Sequence, residues 1–177
     1  MKTWLHLMVT ALCKAQDAVP FFRLFLAEDI CYKTGPLISP AMIETFLLPY
    51  YQELYQTLKN RQKEKLFFEV DTDGAVYSVI NIYRRAGVTA FSPNEVAAGC
   101  DVVTMGKEYP WLTMSGGIDK RILASNPGAI DKMVERIIPA MLKRGGYYPT
   151  CDHGIPEDVP LKNYLHYRKR VLELDHY

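Results

Sequence analysis

The chain has 177 residues, a formal net charge of +1 and 23% charged residues. That length suffices for one core or for part of a larger one, and the balance of charge supplies no basic face for nucleic acid or an anionic membrane. No uncharged apolar window approaches the roughly eighteen residues that a membrane span needs, and Cys13, Cys31, Cys100 and Cys151 lack close pairing, which points to reduced thiols in a cytoplasmic protein.

The start, "MKTWLHLMVTALCKAQDAVP", has one early lysine and an apolar stretch, but a second lysine follows and there is no clean cleavage site. Residues 1–18 therefore predict an amphipathic helix rather than a secretion signal. "VPFFRLFLAED" (19–29) predicts a strand that ends in two acids, and "GPLISP" (35–40) a loop. Ser39 and Pro40 suit the N-cap and first position of a helix over 39–65, which Pro49 kinks or splits. "LFFEVD" (66–71) is a second strand. Over 75–87, Val76, Val79, Ile80 and Tyr83 share one helical face, and Gly87 is a stop signal. A third strand over 88–92 precedes a short helix with a turn over 94–109, and a fourth strand spans 111–117. Asn126 and Pro127 open a helix over 126–146; 147–150 begins a fifth strand-like segment. After the polar loop 151–160 a final helix starts at Leu161.

Strand, loop and helix in alternation with short connections predict an α/β fold with parallel strands. Neither a dinucleotide fingerprint nor a Walker A loop is present. The strands end in polar groups: Glu28 and Asp29, Asp71 and Asp73, Ser92 and Glu95, Asp119, Asp152 and His153. A (β/α)8 barrel gathers such groups at one mouth, and an open doubly wound sheet gathers them at its switch point. About five strands are too few to close eight, so a barrel is expected to be partial. The whole chain, 1–177, is expected to form one partial barrel domain.

In "LFFEVDTDG" the acids Glu69, Asp71 and Asp73 recur at every second position, which places them on one face while the strand persists. Carboxylates in a row call for a cation, a shared proton or an arginine between them, so a metal site or a proton-handling acid is one outcome. The plainer outcome is a turn at Asp73-Gly74 and an ion pair from Glu69 to a lysine or arginine. In "PTCDHGIP", Cys151, Asp152 and His153 are three ligand types of which one, or 151 with 153, can reach a single ion. Asp152 alternatively orients the histidine ring. The plainer outcome there is a polar loop with one buried cysteine. "SGGIDKR" offers Asp119 to a pocket, with Lys120 and Arg121 as carboxylate binders or as capping or solvent-facing groups, and "NEV" offers Glu95 beside a capping Asn94. Asp29, Tyr32 and Lys33 are expected at a substrate rim. His6, His166 and His176 are expected to be structural or exposed, and the methionines to fill the core.

The stretches "AEDICYKTGPLISPAM", "LPYY", "FFEVDTDGAV", "GVTAFSPNEVAAGCDV", "LTMSGGIDKRIL" and "YYPTCDHGIPEDVPLKNY", in this order and spacing, resemble the uroporphyrinogen decarboxylase superfamily, which includes cobalamin-linked methyltransferases. The resemblance is to the C-terminal half of those barrels, which are roughly twice this length. It implies a partial TIM barrel that needs its missing half or self-association, with a small-molecule substrate. In the methyltransferase branch, a histidine-and-cysteine motif and a later cysteine bind zinc. Aligned on glycine, Asp71 and Asp73 take the first two places, and a two-residue offset would use Glu69 and Asp71. The later place falls on His153, with Cys151 as the alternative. That resemblance implies zinc at Asp71, Asp73, Cys151 and His153, proton handling by Glu69, Glu95, Asp119 and His153, and methyl transfer to cobalamin on a corrinoid partner protein. The more oxygen-rich ligand set departs from the thiol-activating one. The decarboxylase branch uses no metal and relies on an aspartate near its second strand, a tyrosine and a C-terminal histidine. His153 resembles that histidine, the essential aspartate and an arginine-rich N-terminal segment are expected outside this chain, and "SGGIDKR" departs from the usual Gly-Asn-Leu-Asp-Pro pattern. A non-enzymatic half-barrel with a role in assembly is the third expectation.

Overall fold

Alternation along the strands separates an apolar side, which helices cover, from a polar side, which they leave open. A computed structural model describes residues 1–175; His176 lies outside the described residues. The elements are α1 (Lys2–Gln16), β1 (Arg23–Ala27), β2 (Cys31–Tyr32), β3 (Gly35–Pro36), α2 (Pro40–Phe46), α3 (Leu48–Asn60), β4 (Phe67–Asp71), α4 (Tyr77–Arg85), β5 (Ala90–Ser92), α5 (Val102–Glu108), β6 (Thr113–Ser115), α6 (Lys120–Leu123), α7 (Pro127–Arg144), β7 (Tyr147–Tyr148) and α8 (Leu161–Asp175). Among the described residues, β1, β4, β5, β6 and β7 form a parallel sheet in that order, and β2 pairs antiparallel with β3. This is an α/β fold with helices flanking a five-stranded parallel sheet, consistent with a partial (β/α) barrel.

The helix-covered side carries Leu24, Phe68, Val70, Phe91 and Met114, all buried. Tyr55 of α3 stacks on Phe68 with ring centroids 5.5 Å apart, and Tyr83 of α4 meets Phe91 edge-on at 5.9 Å. Each such aromatic contributes several kcal/mol through burial, on the order of 3–5 kcal/mol on truncation to alanine. The other side of the same strands presents Arg23, Phe25, Glu69, Asp71, Ser92 and Ser115 to a hollow.

The expected helix over 39–65 divides at Leu47, because Pro49 has no N–H to continue the ladder. Ser39 Oγ caps α2 by accepting from the Met42 N–H at 3.2 Å. The 94–109 segment is a 3₁₀ turn over Val96–Ala98 followed, after Gly99 at φ 88°, by α5 capped by Asp101. α7 runs through Pro139, whose side faces solvent. Among the described residues no helix is long and apolar enough to cross a membrane. His6 is exposed, and His166 Nε2 pairs with Asp131 Oδ1 at 2.8 Å between α8 and α7.

Candidate functional site

Parallel strands bring their carboxyl ends to one side, so the loops after β4, β5, β6 and β7 meet there. Glu69 and Asp71 point away from the helices, and sheet pairing sets Asp71 opposite Ser92. Ser92 Oγ donates to Asp71 Oδ2 at 2.7 Å. Asp73 lies beyond the strand end, where its Oδ1 meets His153 Nε2 at 3.1 Å. These groups, with Arg23, Phe25, Ser115, Thr150 and Cys151, line an open hollow of about 410 Å³.

Glu69 is buried and forms an ion pair with Arg23 Nη1 at 2.9 Å. The partner comes from β1, whose alternation places Arg23 and Phe25 on the same face as Glu69. Sequence reading missed Arg23; the only signal was a lone arginine opening an otherwise apolar strand, "RLFLA". Three carboxylates thus face the hollow against Arg23 and His153, leaving the walls acidic.

Backbone N–H groups occupy the remaining acids. The Gly74 N–H donates to Glu95 Oε2 at 3.0 Å. Asp152 is fully buried and accepts from the Val96 N–H at 3.1 Å and the Lys120 N–H at 3.3 Å, joining three loops. Asp119 caps α6 and holds Arg121 through both its oxygens, at 2.9 Å to Nε and 2.7 Å to Nη2. Burial pushes its carboxyl up, but the hydrogen bonds and charge of Arg121 outweigh this and hold it below the usual aspartate range. Lys120 Nζ reaches His153 Nδ1 at 2.8 Å. Asp29, exposed at φ 45°, and the exposed Tyr32 and Lys33 of the β2–β3 hairpin are not among the walls of the hollow. The hairpin closes over Gly74, where a Cβ would stand 2.3 Å from the Tyr32 carbonyl oxygen. The close approach at Gly116 is likewise made by backbone: a Cβ there would lie 1.6 Å from the Pro93 oxygen.

The zinc expectation is corrected. Among the described residues no group of three histidine, cysteine, aspartate or glutamate side chains is placed to hold a metal ion. Asp71 is turned to Ser92 and Asp73 to His153. Cys151 is a buried thiol in a parallel bridge with Ile118, and burial pushes its pKa up, away from the thiolate that zinc requires. Asp152 is turned to the Val96 and Lys120 N–H groups and His153 to Asp73 and Lys120, so the three adjacent ligand types do not converge on one point. Without a donor set, the zinc-dependent, cobalamin-linked methyl transfer has no support among the described residues.

A five-stranded parallel β/α sheet with polar loops gathered at its carboxyl ends defines an α/β protein, in an arrangement consistent with a partial (β/α) barrel. Within that class, a family model described as "Uroporphyrinogen decarboxylase (URO-D)" matches residues 24–174, and the chain belongs to this family. It is similar to a uroporphyrinogen decarboxylase of Geobacter metallireducens, with 28% identity over 137 residues, 75% of this chain and 37% of that protein. It is also similar to a uroporphyrinogen decarboxylase of Geotalea daltonii, with 29% identity over 136 residues and the same two coverages. The chain therefore spans well under half the length of the curated relatives it matches. Restriction of the resemblance to a C-terminal half is corrected, since the match runs through almost the whole chain.

Proposed function

We propose that the chain supplies the acidic wall of a uroporphyrinogen-type decarboxylation site that operates without a bound metal. The 3.1 Å pair between Asp73 and His153, at the rim of the hollow in a member of this family, carries the reading. A porphyrinogen presents pyrrole N–H donors at its centre and carboxylates at its edge. Walls bearing Glu69, Asp71 and Asp73 favour the N–H donors and repel the carboxylates. Asp71 and Asp73 then hold the pyrrole N–H groups, and His153 handles a proton at the reacting ring. The substrate carboxylates point outward, toward cations such as Lys33 or toward groups on the longer protein that the relatives represent.

Anaerobic incubation of the chain with uroporphyrinogen, followed by oxidation and chromatography, is expected to yield porphyrins with fewer carboxylates. Asp73→Asn and His153→Gln are expected to slow that conversion about 100-fold or more. Fully carboxylated porphyrin after incubation with the unaltered chain, together with no retention of uroporphyrinogen by it, overturns the reading.

A further inference from the structure

His153 stands between two charged side chains. Its Nε2 lies 3.1 Å from Asp73 Oδ1, and its Nδ1 lies 2.8 Å from Lys120 Nζ. An ammonium can only donate, so the hydrogen bond at Nδ1 requires a lone pair there. The ring proton is then on Nε2, where the Asp73 carboxylate accepts it. The reverse tautomer would set an N–H against the ammonium and a lone pair against the carboxylate, losing both bonds.

Two further features fix Lys120 in this place. Its backbone N–H donates to the buried Asp152, the residue immediately before His153, so one carboxylate ties the two loops together. The neighbouring cation, Arg121, is held by both oxygens of Asp119 and leaves the imidazole to Lys120. Both His153 and Lys120 are half-buried, which limits exchange of these bonds with water.

We infer that Lys120 is a positioning residue that sets the tautomer and orientation of His153, so that its nitrogen on the side of Asp73 and the hollow, Nε2, carries an N–H and not a lone pair. The tautomer follows from geometry alone; its consequence, that His153 enters decarboxylation as a donor rather than as a base, rests on the function proposed above. Lys120 acts through His153 and does not line the hollow.

The test is ¹⁵N NMR of the full chain labelled at histidine, at mildly alkaline pH. The expected spectrum of His153 has its pyridine-type nitrogen at Nδ1 and its pyrrole-type nitrogen at Nε2. Lys120→Met is expected to move both signals toward each other as the tautomers mix, and Lys120→Arg, which keeps a donor, to restore their separation. A pyridine-type Nε2 in the unaltered chain, or signals unmoved by Lys120→Met, overturns the inference. The first measurement needs no variant, so a Lys120→Met chain that fails to fold does not shield the proposal. The uroporphyrinogen assay is read separately: the expected tautomer without product would leave the positioning role standing and remove the decarboxylase reading.

Discussion

Asp152→Asn isolates the carboxylate that joins the loops of the mouth. The change keeps shape and opens no cavity. Asp152 is fully buried and accepts two backbone N–H bonds, from Val96 and Lys120, one on each oxygen. Asparagine has one carbonyl oxygen, so it can keep one of them as a neutral bond, while its NH₂ group confronts the other N–H. A bond to a charged acceptor contributes about 1.5–3 kcal/mol and a neutral one about 1 kcal/mol, and an unpaired buried N–H costs about 1–3 kcal/mol. Removing a buried charge returns part of this through relieved desolvation. The balance is a loss of about 2 kcal/mol. At roughly 2–4 °C per kcal/mol for a chain of this size, the melting temperature should fall by about 4–8 °C. Thermal unfolding followed by circular dichroism measures this, and amide exchange should quicken at Val96 and Lys120 above the general change. A melting temperature within about 2 °C of the unaltered chain, with exchange unchanged at both amides, would refute the claim that this carboxylate joins the loops.

Burial raises Glu28 above its ordinary 4.5 despite the hydrogen bond from the Tyr51 hydroxyl at 2.6 Å. Its contribution to stability is therefore full below about 4.5 and is lost as pH rises through the higher folded value. Relative to the unaltered chain, Glu28→Gln should gain melting temperature as pH climbs past 4.5; a difference that stays flat with pH would contradict the burial. Asp101 has the opposite sign: burial raises it, but bonds from Thr104 and Arg136 outweigh this and hold it below its ordinary 3.8. Asp101→Asn should reduce stability by about 0.5–1 kcal/mol at neutral pH, since asparagine still caps the helix. The two chains should converge as pH falls through the folded value, and urea titrations at neutral and acid pH show whether they do. Gly116→Ala should destabilise by about 3 kcal/mol or more, from strain at φ 97° and from overlap with the Pro93 carbonyl; calorimetry that finds no loss would show that this backbone yields.

The order of the five sheet strands and the longer helices was legible because the periodicities differ, and so was the shared face of Glu69 and Asp71, whereas the β2–β3 hairpin and α6 were not. The convergence of Asp73 with His153 followed from parallel strands ending on one side. Partners across the sheet were not legible. Glu69 meets Arg23 because β1 lies beside β4, and this adjacency is fixed by packing rather than by spacing along the chain. Asp119 could be read as a pocket acid because nothing in "GIDKR" shows that the helix it caps begins at Lys120. The paired glycines of "SGG" spoke for a close approach but not for what approaches, which is the Pro93 carbonyl. Zinc failed as an expectation for a similar reason: residue types were correct for ligands, but side-chain partners that spacing does not reveal, Ser92 for Asp71 and Lys120 for His153, set their directions.

The bond from the Val96 N–H to Asp152 spans 56 residues. Closing so long a loop before other contacts exist is entropically unfavourable, whereas each β/α unit closes over a short one. The mouth is therefore late in time: the helix-covered core can form first, and the acid–histidine pair assembles only when the last loop arrives. The same order runs backwards on unfolding, so this corner of the molecule should be the first to lose its chemistry while the sheet beneath it still stands.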